Sequence, residues 1–378
     1  MSRRPLTIMN LLSGGGMGGA DILALDISKA LKKNGHAVIF GCPGDNALAP
    51  AAEAAGLRLF ILDRQEITDF DALGSFIRFC RDEKVDIINA HHSRGRHFLA
   101  AARYLGLKSK TVFTRHCLCG GLPLLGLFLH NFAADLNIAV SRAVRKSLLV
   151  GGMLPGRVKT VYGGIDIERF ENVPQALVEE ARGKYARPGV FNIGIVGRFQ
   201  EASLRTDKPS MKRHEVLFRA LAGLKMDFNL LVLGPSDRRS LEIMMDLARY
   251  HGLDGEKITP CGFQADPSPF YKLMDINVLP SPREGLGLAL IEAMAAGVPC
   301  IGADGGGIRE IITDGRDGFL IRPGDSRQLA GKIGLLLNDA GLRAAFIEAG
   351  RKKARELFDI RENVGLLEDA FYGILPAR

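Results

Sequence analysis

The chain has 378 residues, 47% hydrophobic and 24% charged, with a formal net charge of +8. That length is long for one core, so two domains are expected, and the composition is globular. No apolar run approaches the roughly 20 residues that span a bilayer.

The start, MSRRPLTIMNLL, reads as a first strand rather than a secretory signal. Six cysteines are scattered with no CxxC pair, and Cys117 and Cys119 are too close for a usual bridge or a zinc knuckle. Reduced thiols in a cytosolic protein are the simplest reading.

Residues 6–12 form a short apolar strand. The loop SGGGMGGAD, a helical run over 22–33 closed by Gly35, and a strand over 36–41 follow. This is the opening of a doubly wound α/β domain. Gly14, Gly16 and Gly19 satisfy GxGxxG. Dinucleotide binding would also want an acid at the end of the second strand, which instead reads Phe40-Gly41-Cys42. Glycines that let another molecule's backbone or sugar come close are the better reading.

Further strands are expected at 58–62, 85–90, 110–114 and 136–140. Asp69-Phe70-Asp71 spells DxD, a metal–nucleotide pattern, but it precedes an apolar-periodic run and reads as a helix start. His91, His92 and His97 follow one strand and His116 the next, at the carboxyl ends where such sheets bind ligands. No carboxylate or cysteine is spaced to complete a metal shell. His116, in TRHCLCGG beside Arg115, is the candidate for touching a substrate; the others read as ordinary loop histidines.

Between 91 and 160 stand eleven Lys/Arg and one acid, Asp135. Such a field suits nucleic acid, anionic lipid or a phosphorylated acceptor. Inside it, GLPLLGLFLHNF (121–132) is either a buried helix or an interfacial segment on an anionic membrane.

After a strand at 158–162 and GGIDIERF, the polar stretch 171–189, with Pro174 and Pro188, reads as the interdomain connection. A second α/β series has strands at 191–196, 229–233, 257–261, 275–279 and 299–303. Late helices cover 326–338, 342–357 and 361–374. The domains are thus 1–175 and 188–360, with 361–378 packing back on the first.

The first strand of that series ends in Gly197-Arg198-Phe199, and Met211-Lys212-Arg213-His214 starts the next helix. Both basic residues would face the same crevice as PSPREGLGLALIEAMAAGV (280–298). There a strand feeds a glycine-loaded helix start. Its unpaired N–H groups and dipole suit phosphate, while Glu284 and Glu292 suit the hydroxyls of a sugar.

The segments GGGMGGAD, VYGGIDIERF, GIVGRF, KRHEVLFRAL, LLVLG, SPREGLGLALIEAMAAGVPCI, GGGIREII and DGRDGFLIRPGD, in this order, carry a resemblance. The chain resembles the retaining, nucleotide-sugar-dependent glycosyltransferases of family 4 (glycosyl transferases group 1). It implies an α/β GT-B architecture, two Rossmann-like doubly wound domains facing across a cleft. It also implies that Arg198 and Lys212 bind the donor diphosphate, Glu284 the transferred sugar and Glu292 the ribose. Backbone amides of Gly285, Leu286, Gly287 and Leu288 would approach phosphate and sugar. Gly15 and Gly16 would admit the sugar diphosphate, His116 would lie near the reacting sugar, and Gly262 and Phe263 near the base. Neither metal nor cofactor is expected. Departures are Asp21 where the family often has Glu, Tyr162-Gly163 for Asn-Gly, and an insertion that makes Lys208 a rival to Lys212.

The resemblance implies metal-independent transfer from a nucleoside-diphosphate sugar to a glycan or glycolipid hydroxyl, with anomeric configuration kept. The basic and apolar segments suggest an acceptor at an anionic membrane face, such as a lipopolysaccharide or envelope-glycan precursor. The expected location is cytoplasmic, free or peripheral on the inner face of the membrane. Alternatives are a GT-B sugar-nucleotide epimerase or phosphorylase, or a non-catalytic binder of anionic glycan or lipid. No aromatic platform accompanies the charge, which argues against nucleic acid. The donor's sugar and base and the oligomeric state stay open.

Overall fold

The computed structural model describes residues 3–376 except 17, 64, 121–123, 200–209, 211 and 236. The chain divides into two compact units, Met1–Ile165 with Ile360–Arg378, and Asp166–Asp359.

The first unit holds a seven-stranded sheet. Its strands are β1 (Thr7–Leu11), β2 (Ala37–Cys42), β3 (Arg58–Ile61), β4 (Ile87–Ala90), β5 (Lys110–Arg115), β6 (Leu136–Ala139) and β7 (Val158–Thr160). Their order is β3-β2-β1-β4-β5-β6-β7, and every pairing is parallel. The second unit holds β8 (Phe191–Val196), β9 (Phe228–Leu233), β10 (Ile258–Gly262), β11 (Ile276–Leu279), β12 (Cys300–Ala303) and β13 (Phe319–Ile321). These run β10-β9-β8-β11-β12-β13, again all parallel.

Parallel sheets need helices on both faces, so their strands read as nearly unbroken apolar runs. FNLLVL and INVL are buried throughout. Around the second sheet close Ile193, Phe218, Phe228, Met244, Leu329 and Phe346; around the first, Met9, Phe76, Ile88, Phe98 and Phe113. In each sheet the strand order reverses once, between β1 and β4 and between β8 and β11. Chains leave such a switch point in opposite directions, which opens a crevice at the carboxyl ends.

Three readings of the sequence need correction. The stretch 171–189 is not a bare connection. It contains the helix Gln175–Tyr185, which buries Val178 and Ala181 at helical spacing, and Tyr185 sets its ring 5.1 Å from that of Phe270. Two apolar positions among polar ones suffice to dock it, and the units part earlier, at Ile165. Strand β13 was not expected, because three residues between glycine- and aspartate-rich turns carry too little pattern. The segment 121–132 lies partly outside the described residues. The rest is the helix Leu124–Phe128 running into a π-helical turn, Leu129–Ala133. It is neither wholly buried nor wholly outward: His130 and Asn131 are buried while Phe128 and Phe132 are about half exposed.

Asp69 caps the helix Phe70–Asp82, accepting from the Ala72 N–H at 3.0 Å. The last helix, Ile360–Tyr372, belongs to the first unit. Ile360 N–H donates to the Ile165 carbonyl, and Tyr372 donates to the Arg4 carbonyl. Glu368 receives Asn34 at 2.7 Å and lies 3.2 Å from His36.

Candidate active site

At the second unit's switch point, β8 runs out into Gly197. A side chain there would press on the methylenes of Lys212, and one at Gly234 would run into the Gly197 carbonyl. Three segments therefore meet backbone to backbone. Lys212 lies over Gly197 and donates to Glu284 Oε1 at 2.8 Å, with both side chains largely buried. Its turn is fixed from behind: Ser210 Oγ accepts from the His214 N–H and donates to Glu215. His214 is buried with no hydrogen bond to either ring nitrogen. Burial, aided by the Lys212 charge, holds its pKa down to about 3. It is a neutral ring packed edge-on to Phe199.

Glu284 sits on the loop after β11. That loop rests on the glycine run after β12. The Gly307 N–H donates to the Glu284 carbonyl at 2.9 Å. A Cβ at Gly305, Gly306 or Gly307 would collide with the carbonyls of Pro282, Glu284 or Gly285 respectively. The sequence reading passed over these three glycines as supports. The loop turns at Gly287 (φ 109°) into the helix Leu288–Ala296. The N–H groups of its first turn are the donors such a turn leaves without intrahelical partners.

LALIEAMAA is apolar on nearly every face, so this helix has to be interior. Its single charge, Glu292, needs a partner: the fully buried Tyr271 donates to Glu292 Oε2 at 2.7 Å. Burial, then the Glu292 charge, pushes the Tyr271 pKa well above the ordinary phenol. It stays a donor. Gly285, Leu286 and Gly287 are buried, Leu288 half-buried. Gly262 ends β10 at φ 68° and accepts from the Gly234 N–H, with Phe263 half-buried beside it. Arg198 is exposed at the end of β8 and makes no hydrogen bond or ion pair among the described residues. The structure thus brings Lys212 and Glu284 together and leaves Arg198 outside that pair. Lys208 lies outside the described residues.

At the first unit's switch point, β1 leads into the glycine loop. Asn46, from the loop after β2, donates to the Gly14 carbonyl at 2.6 Å, and the Ala47 N–H donates to Gly15. Gly16 is buried at φ 80° against Asn46, while Gly15 is exposed with open space where a side chain would be. Asp21 has work within the loop: Oδ2 accepts from the Gly18 N–H at 3.0 Å, and Oδ1 lies 3.3 Å from His92 Nε2. His92 Nδ1 in turn accepts from the Ser13 N–H. The shorter acid therefore caps its own helix and ties it to the loop after β4.

His116 follows β5 and is partly exposed. Its Nε2 lies 3.0 Å from His91 Nδ1, with the rings stacked. Burial, then the nearby His92, Arg96 and Arg115, hold its pKa down to about 3. His91 is no ordinary loop histidine, as the sequence had suggested. It is wholly buried, and burial and His116 hold its pKa well below the usual value. The signal was available: Asn10 and Asn89 are polar positions inside otherwise apolar strands, paired in register, and both reach this ring. Arg96 is also buried, with no carboxylate partner among the described residues; it donates to the His91 and Thr114 carbonyls and to Ser93. Burial and Arg115 push its pKa down to about 9. Among the described residues no group of three or more His, Cys, Asp or Glu is placed to hold a metal.

Two parallel doubly wound sheets, each with a glycine-lined crevice at its switch point, are the architecture of the GT-B glycosyltransferases. Residues 17–169 match the family described as Glycosyltransferase Family 4, and residues 208–353 that described as Glycosyl transferases group 1. The chain belongs to the family 4 glycosyltransferases. It is 30% identical over 235 residues to the capsular polysaccharide biosynthesis glycosyltransferase CapM of Staphylococcus aureus, covering 60% of this chain and 58% of that relative. It is 24% identical over 377 residues to the N-acetyl-alpha-D-glucosaminyl L-malate synthase of Bacillus anthracis, covering 95% of each. A glycosyltransferase from Rickettsia africae ESF-5 superposes with a TM-score of 0.87 at 22% identity over the full length of both chains. Alr3699/HepE of Anabaena, solved with UDP-glucose, superposes with a TM-score of 0.84 at 20% identity, covering 97% of this chain and 100% of that one.

Proposed function

We propose that the protein transfers a sugar from a nucleoside-diphosphate sugar to a hydroxyl of a glycan or glycolipid, keeping the anomeric configuration and using no metal. The observation that carries this reading is the Lys212–Glu284 pair at the second switch point, set beside the helix start at Gly287. A cation and helix N–H groups meet a departing diphosphate. A carboxylate held by that cation is ready to accept from sugar hydroxyls. Arg198, exposed and without a hydrogen bond or ion pair among the described residues, would turn to the diphosphate when donor arrives. Glu292, oriented by Tyr271, would take the ribose. Gly262 and Phe263 would flank the base. Gly15, Gly16 and His116 would serve the transferred sugar. HepE, the neighbour solved with UDP-glucose, makes UDP-sugars the first donors to try.

For the acceptor, the first unit suggests an anionic, membrane-held glycan precursor such as that of lipopolysaccharide or another envelope glycan. Of its eleven basic residues at 91–160, Arg96 is buried and Arg103 and Lys110 are paired with Asp135. Phe128 and Phe132, in the same stretch of sequence, present exposed rings 5.0 Å apart. No helix among the described residues is long and apolar enough to cross a membrane, so attachment to a cytoplasmic membrane face would be peripheral.

The test is acceptor-dependent release of nucleoside diphosphate, with donors first ranked by thermal shift. Glu284→Gln and the double change Arg198→Ala with Lys212→Ala should each cut transfer by about a hundredfold or more, in line with losing one preorganised group at a developing charge. Wild-type turnover in either variant sinks the reading. Retention is read from the anomeric signals of the product, and loss of activity in chelator restored by Mn²⁺ would refute metal independence.

A further inference from the structure

The hydrogen bonds behind His116 form a chain whose direction can be worked out. Ser28 Oγ donates to the Ala24 carbonyl at 2.7 Å, so its contact with Asn10 Nδ2 at 2.8 Å has to be one it accepts. That orients the Asn10 amide. Its Oδ1 faces Asn89 Nδ2 at 3.2 Å and His91 Nε2 at 3.1 Å. Asn89 Nδ2 is also 3.2 Å from His91 Nε2. These three atoms form a nearly equilateral triangle. The two hydrogens of an amide nitrogen diverge by about 120°, so they cannot both aim at acceptors about 60° apart. A carbonyl oxygen accepts two donors more easily. Asn10 Oδ1 therefore takes one hydrogen from Asn89 and one from His91, and His91 carries its proton on Nε2.

Burial keeps His91 neutral, so its Nδ1 is bare and accepts. The His116 nitrogen 3.0 Å away, Nε2, has to be the donor. His116 is neutral too, which leaves its Nδ1 bare. Among the described residues no hydrogen bond reaches that atom, and the ring is partly open to solvent.

We infer that His91, anchored by Asn10, is a positioning residue that locks His116 as the Nε2–H tautomer, so that His116 offers Nδ1 as an acceptor to a substrate hydroxyl. The inference rests on the proposed role of His116 beside the transferred sugar. On it, His116 receives a hydroxyl hydrogen and neither donates one nor carries charge at neutral pH.

The decisive measurement is the two-bond ¹⁵N–¹H spectrum of histidine-labelled full-length protein, which separates protonated from bare ring nitrogens. Protonated Nε2 and bare Nδ1 on His116 are expected; the reverse pattern overturns the inference whatever the kinetics show. A second arm uses position 91. An Asn side chain places its amide near the former Nδ1 and can accept from His116, whereas Leu cannot. His91→Leu should lower kcat by about tenfold to a hundredfold with donor KM within about twofold, as expected for loss of alignment rather than binding. His91→Asn should recover most of that loss. Full activity in His91→Leu, or no recovery in His91→Asn when both are folded, overturns the positioning role. His116→Ala separates the two ideas. If it is inactive while His91→Leu is fully active, the His116 reading stands and this inference falls. If His116→Ala retains wild-type transfer, the substrate-facing role of His116 falls, and this inference with it, even where the spectrum shows the expected tautomer.

Discussion

The two switch points have the same strand order around them and differ in electrostatics. The second gathers ionised groups: Lys212 against Glu284, and Glu292 under a tyrosine hydroxyl. The first keeps its charges, Asp21 and Arg96, on backbone and loop partners and gathers neutral groups around His116. His91 and His116 stack with their charges suppressed, backed by Asn10, Asn89, Thr114 and Ser28. Strand order decides where a ligand is met; the residues at the strand ends decide how. Formal charge suits the half proposed to handle a diphosphate. Neutral, directional hydrogen bonds suit the half assigned here to sugar hydroxyls, where an ion would cost desolvation and give little selectivity.

This contrast makes the halves respond differently to acid. The first unit holds His91, His116 and His130 neutral by burial, with pKa values well below, about 3 and about 4. The second holds His214, at about 3. His97 and His251 are also lowered, one in each unit. In the unfolded chain a histidine titrates near 6.5. Below that pH the unfolded state binds protons that the folded state refuses, so stability falls as pH falls from 6.5 toward the depressed values. At pH 5.5 the first unit, with three histidines held neutral by burial, should lose more stability on this account than the second, with one. Hydrogen exchange at pH 7.5 and 5.5, corrected for intrinsic rates, should show protection falling more in β1, β4 and β5 than in β8, β9 and β11. Equal losses would break the contrast.

The second half's ion pair depends on a backbone support, the glycine run after β12. Gly306 sits at φ 53° with its α-carbon turned toward the Glu284 carbonyl, leaving no room for a methyl group. Gly306→Ala should push the Glu284 loop outward, and a displacement near 1 Å costs up to about a hundredfold in rate. A fall in kcat of about tenfold to a hundredfold is expected. Gly334→Ala, at a helical position with open space around it, is the control and should be neutral. Unchanged turnover in Gly306→Ala would show that the glycine run does not hold the loop.

Much of this was legible in the sequence. Twelve of the thirteen strands announce themselves as apolar runs between glycine-rich loops, and the spacing of Glu284 and Glu292 on one helix start marks the second switch point. What was not legible has two causes. The helix Gln175–Tyr185 and strand β13 are held by a few long-range contacts, which leave no periodic trace in a polar or very short segment. His91 and Tyr271 were hidden for another reason. Each acts through a partner, His116 or Glu292, from a distant stretch of chain, and pairing across strands is not written in local spacing. Asn10 and Asn89 were the visible clue, since an amide inside an apolar strand has to be hydrogen-bonded to something.

The smallest effect expected concerns the tyrosine. Tyr271→Phe removes one hydroxyl from a fully buried ring and keeps its packing against Phe170. The Glu292 carboxylate would lose a donor that helps to aim it. A hydrogen bond to a charged group contributes about 1.5–3 kcal/mol, part of which water at the partly exposed Glu292 can restore. A weakening of donor binding by about tenfold, near 1.4 kcal/mol, is therefore expected, with kcat changed by less than about twofold. Deoxyribose analogues supply the sharper reading. A donor lacking the ribose hydroxyls should bind wild type and Tyr271→Phe alike, because it has nothing to offer Glu292. If the variant weakens both donors equally, Tyr271 supports the helix and not the carboxylate. If it weakens neither, the buried phenol is a packing group whose hydroxyl merely found the nearest acceptor.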